Sequence, residues 1–149
     1  MSIFDPVISQ IGDSLFVANL YAIEELSENS RFDEVVTVNY CGFDGRPVPE
    51  ASTTELEFMM DDGGNQNHAT FTRAVDHVVQ SIEDGDDVVV HCQAAVNRSP
   101  AVCMAAYAAI HDVPMEEAYE LVSEKHPRTK PYPGTIHSVS GYLKSRNSS

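Results

Sequence analysis

Four short, largely apolar, strand-like segments stand out along the chain: Ser14–Ala18, Val35–Asn39, Leu56–Met60 and Val88–His91. Each has the length and composition of a strand. Val88, Val89 and Val90 form an unbroken apolar run after the turn Glu83-Asp84-Gly85-Asp86-Asp87, which predicts a central strand buried on both faces. Between the last two strands, Phe71, Ala74, Val75, Val78, Val79 and Ile82 recur at helical spacing and form one apolar stripe, as in a helix lying on a sheet. Pro100 to Ile110 is apolar nearly all round, which predicts a helix at the centre of the molecule. A further helix begins near Pro114, turns Met115, Ala118, Tyr119 and Val122 inward, and ends by Pro127. The last helix is expected over Thr135–Lys144, entered through Pro131-Tyr132-Pro133-Gly134. Strands alternating with helices imply an α/β domain.

The 149 residues fit one domain with a working core, and only Ser145–Ser149 reads as a frayed tail. Hydrophobic residues make up 42% of the chain, ordinary for a folded protein, and no repeat or linker interrupts it. The first twenty residues carry Asp5 and Asp13, no basic leader and no long apolar run, and Pro100–Ile110 is too short to span a bilayer. A soluble, cytoplasmic protein is the expectation. Cys41, Cys92 and Cys103 make neither a disulfide framework nor a zinc-type spacing, so a reducing compartment fits.

Charge changes the picture more. There are 23 acidic residues against 9 basic ones, a net charge of −14, and only Lys125, Lys130 and Lys144 are lysines. Such a field repels nucleic acid and anionic membrane, so neither is an expected partner. Two origins stay open: an ordinary acidic protein, or one adapted to a very salty cytoplasm such as that of a halophilic archaeon. Salt there shortens screening to a few ångströms and makes dense carboxylates tolerable. The scarcity of lysine tilts the reading to the second.

The segment His91-Cys92-Gln93-Ala94-Ala95-Val96-Asn97-Arg98-Ser99-Pro100 joins the buried strand to the central helix. A loop in that position aims successive backbone N–H groups at one spot, with the positive end of the helix behind them. That makes a pocket for a tetrahedral dianion. Arg98 at the helix start can close on two phosphate oxygens. The same N–H groups, from Gln93 to Asn97, favour thiolate over thiol at Cys92. Ser99 is placed to donate a hydrogen bond to the sulfur as it leaves. Singly, a cysteine after a valine run is usually core and an arginine usually surface; His-Cys, five residues, then Arg-Ser on a strand–loop–helix is far more specific.

This segment resembles the signature loop of the protein tyrosine phosphatase superfamily, His-Cys-x5-Arg-Ser/Thr, and more narrowly that of the dual-specificity phosphatases. Leu15-Phe16-Val17-Ala18-Asn19, Phe32 to Asn39, Ala118 to Val122 and Pro131 to Gly134 are similar to other parts of that family, so the resemblance covers about Ile11 to Leu143. It implies the cysteine-phosphatase fold, a mixed sheet of about four to five strands flanked by helices, in a single catalytic domain. Two positions depart from the family. Ala95 stands where a loop glycine is usual, and an alanine at φ > 0 would cost about 1 kcal/mol or more. Tyr132 replaces the asparagine of a Pro-Asn-Pro-Gly pattern.

The resemblance also implies a general acid about thirty residues before the cysteine, just past a strand. Aligning Phe58-Met59-Met60 with that strand and Phe71 with a family aromatic favours Asp62 over Asp61. Cys92 would attack phosphorus, Arg98 and the loop amides would hold the phosphoryl oxygens, and Asp62 would protonate the leaving group and then activate water. His91 would orient the loop and tune Cys92. No metal or other cofactor is expected, since the six histidines show no ligand spacing. The small size favours a shallow pocket that takes phosphotyrosine and also phosphoserine and phosphothreonine, on a phosphorylated protein, with the enzyme a monomer. The alternatives are a phosphatase of a lipid, nucleotide or sugar, a phosphate-binding module without catalysis, and a sulfurtransferase. Against the first, Gln93–Asn97 holds no basic residue. Against the last, a sulfurtransferase loop is shorter and leaves Arg98-Ser99 unexplained. Cys41 follows the strand that ends at Asn39; a related inositol-lipid phosphatase carries a cysteine at the matching place. If the two strands are parallel neighbours, Cys41 is a candidate redox partner of Cys92, provided the Cα atoms approach within about 7 Å.

Overall fold

Five strands share one sheet: β1 (Ile8–Gln10), β2 (Leu15–Ala18), β3 (Glu34–Asn39), β4 (Thr54–Met59) and β5 (Val88–His91), in the order β1-β2-β5-β3-β4. The computed structural model describes residues 5–19, 21–23, 32–39, 54–59, 68–92, 98–131 and 133–147. β2, β5, β3 and β4 run parallel, and only β1 is antiparallel, to β2. The sheet is therefore mixed, with the valine strand β5 at its centre and all four of its residues buried. The periodicity located β2 to β5 to within two residues at each end. It did not find β1. That strand has three residues at a sheet edge, with Ile8 39% exposed, and so carries no apolar run or alternation to read.

Alternation along the strands sorts side chains into two cores. Leu15 and Val17 of β2, Val36 and Val38 of β3, and Val88 and Val90 of β5 enter the larger cluster, together with Cys92. Phe16, Ala18, Val35 and Val89 face the other way and pack with Ala22, Ile23 and Phe32. There the rings of Phe16 and Phe32 meet edge to face at 5.0 Å.

Helix α1 (His68–Glu83) lays the expected stripe on the larger cluster: Phe71, Ala74, Val75 and Val78 are fully buried, Val79 nearly so, and Ile82 packs against it. Gly85 (φ +96°) turns the chain from α1 into β5, bonding back from its N–H to the Ile82 carbonyl. Helix α2 (Arg98–His111) is buried at every residue from Arg98 to Ala106, as its all-round apolarity implied. It begins two residues earlier than the apolar run because its first turn is the polar pair Arg98-Ser99.

Helix α3 (Met115–Lys125) buries Ala118 and Val122 completely, with Met115 and Leu121 packed partly against the core. Tyr119, expected inward, is 39% exposed. It lies one residue, about 100° of helix, beyond Ala118, and Leu121 takes the flank of the stripe instead. Helix α4 (Pro133–Asn147) begins at Pro133 rather than Thr135, since proline suits a first helical turn. A bond from the Tyr142 hydroxyl to Asp76 Oδ1 (2.7 Å) ties α4 to α1. Burial and that carboxylate push the Tyr142 hydroxyl pKa up to about 12.

Candidate active site

The parallel register sets Ala18 of β2 and Thr37 of β3 beside His91 of β5, so all three strands finish at one edge of the sheet. Ligand sites of open parallel sheets lie outside such carboxyl ends. Cys92 follows β5 directly and is 2% exposed. The 14-residue helix α2 starts at Arg98, and no acidic side chain in its first turn offsets the positive end it turns toward that edge. Arg98 is itself buried, at 4% exposure, in surroundings where a contact between its guanidinium and an anion is worth more than in water.

Of the residues singled out from sequence, the structure brings the side chains of Cys92 and Ser99 together, with Arg98 buried at the start of α2 and His91 directly before Cys92. Cys92 Sγ lies 3.1 Å from Ser99 Oγ, with Ser99 fully buried. A hydroxyl there can donate to a thiolate, and to a departing sulfur after it has carried a phosphoryl group. His91 turns to the opposite face of the sheet from Cys92, as strand alternation demands. Its Nε2 lies 2.7 Å from Thr37 Oγ1, and its Nδ1 lies 3.4 Å from the Cys92 carbonyl. Burial lowers the His91 pKa from 6.5 to about 4, partly offset by the contact with that carbonyl. The folded state therefore keeps His91 neutral while the unfolded chain takes up a proton below about pH 6.5. This contribution to stability is whole above that pH and is lost as pH falls toward 4.

Cys103, in the middle of α2, is fully buried with its sulfur 3.8 Å from the Phe16 carbonyl. Burial, then the nearby Cys92, push its thiol pKa strongly up, so it stays protonated and inert. Gln93 to Asn97, Asp61, Asp62 and Cys41 lie outside the described residues. The condition attached to Cys41 is met as far as the strands go: β3 and β5 are parallel neighbours. Among the described residues no group of three His, Cys, Asp or Glu is placed to hold a metal ion, and no helix is long and apolar enough to cross a membrane.

Thr37 is the site neighbour that the sequence did not disclose. In Val35-Val36-Thr37-Val38 it reads as one more β-branched strand residue. Only the register that sets it against His91 reveals its hydroxyl as a partner.

Residues 17–145 match the family model described as "Dual specificity phosphatase, catalytic domain". The chain is 27% identical over 127 residues to dual specificity protein phosphatase 5 of Rattus norvegicus, covering 85% of this chain and 30% of the rat protein. It thus spans about 30% of the length of that curated relative. Human DUSP28 superposes with a TM-score of 0.82 at 21% identity, over 96% of this chain and 97% of that one. PTPMT1, solved in complex with PI(5)P, superposes with a TM-score of 0.79 at 18% identity, over 95% and 97%. At these identities the structural likeness speaks for the fold.

Proposed function

The chain belongs to the dual-specificity phosphatase catalytic-domain family, and on that premise we propose that it is a cysteine-dependent phosphatase acting on phosphorylated protein side chains. The observation that carries this reading is the meeting of Cys92 and Ser99 at 3.1 Å, where the central strand gives way to the positive end of α2 beside the buried Arg98. The Cys92 thiolate attacks phosphorus while Arg98 and the loop amides of Gln93, Ala94, Ala95, Val96 and Asn97 hold the equatorial oxygens. The phosphorus–oxygen bond to the side chain breaks, and Asp62 gives its proton to the leaving oxygen. Water then attacks the phosphocysteine and passes a proton back to Asp62. Cys92 leaves as thiolate, steadied by the Ser99 hydroxyl.

Phosphotyrosine, and with it phosphoserine and phosphothreonine, fit a domain this small, which has no long insertion to wall off a deep pocket. A second reading, a phosphorylated lipid as substrate, draws on PTPMT1, whose structure holds PI(5)P. The absence of basic residues from Gln93 to Asn97 and the net charge of −14 favour a less highly charged substrate. Rates on phosphopeptides and on short-chain phosphoinositides, measured from dilute buffer to molar KCl, test both the substrate and the charge. Phosphopeptides should be preferred. Activity should also rise with salt, as screening relieves repulsion within the chain and between chain and substrate. Faster phosphoinositide turnover would reverse the substrate assignment, and full activity in dilute buffer with no gain from salt would remove the halophilic reading.

Cys41 fits a protective role: peroxide converts the Cys92 thiolate to a sulfenic acid, which a neighbouring thiol captures as a disulfide with loss of water. Peroxide-treated protein should yield a Cys41–Cys92 peptide by mass spectrometry and regain activity with reductant better than Cys41→Ser does. Equal recovery and no such peptide would reduce Cys41 to packing.

A further inference from the structure

Thr37 is 1% exposed on a strand whose neighbours Val35, Val36 and Val38 are equally buried and wholly apolar. A buried hydroxyl costs folding free energy unless it is hydrogen-bonded, and a valine of the same shape would suit this strand better. The partner opposite is no better suited to an apolar core, since His91 is itself 1% exposed. This face of the sheet otherwise packs Phe16, Ala18, Phe32, Val35 and Val89. A polar pair that breaks the apolar pattern of two central strands marks a place where stability has yielded to another requirement.

The hydrogen-bond geometry says what that requirement is. A neutral imidazole carries a single N–H. The Cys92 carbonyl, 3.4 Å from Nδ1, can only accept, so the proton belongs on Nδ1 and the lone pair on Nε2. Thr37 Oγ1, at 2.7 Å from Nε2, is then the donor. A hydroxyl can fill that role and a valine cannot.

We propose that Thr37 is a positioning residue, whose hydroxyl donates to Nε2 of His91 and holds the ring so that its Nδ1–H faces the peptide carbonyl of Cys92 and steadies the nucleophile at the end of β5. The carbonyl, which can only accept, selects the tautomer, and the short bond at Nε2 holds the ring in place, since the contact at Nδ1 is long and weak. The path runs from β3 across the sheet to the residue before the nucleophile, then through one peptide to the sulfur. It deepens the reading of Cys92 as nucleophile and rests on it.

Two measurements that need no turnover test the proposal separately from that reading. Nitrogen-15 chemical shifts of the His91 ring in the parent protein should show Nδ1 protonated and Nε2 unprotonated near neutral pH. An Nε2–H tautomer overturns the proposal without any variant. The second is the pH dependence of Cys92 alkylation by iodoacetamide, followed on the Cys92 peptide by mass spectrometry. Thr37→Val should move its midpoint up by about one pH unit, slowing alkylation about tenfold below the midpoint. Thr37→Ser, which keeps the hydroxyl, should stay within a few tenths of a unit of the parent. A midpoint unmoved in Thr37→Val, or moved as far in Thr37→Ser, contradicts the assignment. Should Thr37→Val not fold, the parent's tautomer and the serine variant still decide. If the parent lacks phosphatase activity, the catalytic reading fails in its own assay.

Discussion

Cys92→Ser should abolish turnover of aryl phosphates and phosphopeptides, by roughly 10⁴-fold or more, while leaving the fold intact. The size of the loss follows from the chemistry of the group. A thiol ionises far more readily than a serine hydroxyl, and a thiolate is the stronger nucleophile. The neighbour 3.1 Å away, Ser99, is another hydroxyl, and His91 faces the opposite side of the sheet. The substitution removes one sulfur and adds one oxygen at a site 2% exposed, so the core around Val90, Ala101 and Val102 should hold. Inorganic phosphate should still protect the variant against thermal unfolding, because Arg98 and the loop amides are unchanged. Steady-state rates with the parent assayed in parallel give the answer. Retention of more than about a hundredth of the parent's rate would mean that another group is the nucleophile.

The next largest effect is expected at Asp62, the proposed acid. Asp62→Asn should lower kcat on phenyl and alkyl phosphates by about 10²-fold or more, since asparagine can neither protonate the leaving oxygen nor activate water. The loss should shrink for leaving groups acidic enough to depart without a proton, which separates a missing acid from a damaged pocket. Asp61→Asn should do much less. A reversed order would shift the alignment of Phe58-Met59-Met60 by one residue and make Asp61 the acid.

How far the sequence carried can be seen element by element. Valines packed on both faces are rare outside a central strand, so Val88-Val89-Val90 announced β5, and the stripe from Phe71 to Ile82 announced α1. The placement of Cys92 at the end of β5 and of Arg98 and Ser99 at the start of α2 followed, because only six residues, Cys92 to Asn97, join that strand to that helix. β1 was invisible for a physical reason. It owes its form to pairing with β2 and to Asn19, whose buried side chain accepts from the Val7 N–H and donates to the Asp5 carbonyl, and both are tertiary. Tyr119 was misplaced because a residue at the flank of a helical stripe is turned in or out by the partner helix and not by its own spacing. The Thr37–His91 pair depends on register between strands 54 residues apart, which no local pattern encodes. Asp61, Asp62, Cys41 and the loop interior from Gln93 to Asn97 stay as sequence readings, since they lie outside the described residues.

The central claim is covalent: phosphate passes through the sulfur of Cys92. Rapid acid quenching of the parent enzyme during turnover of an aryl phosphate, followed by peptide mass spectrometry at low pH, tests it most directly. A phosphate is expected on the peptide carrying Cys92 within the first turnover, lost once the substrate is exhausted, and absent from Cys92→Ser. Turnover at the full rate with no phosphocysteine, or with phosphate on any other residue, would contradict it.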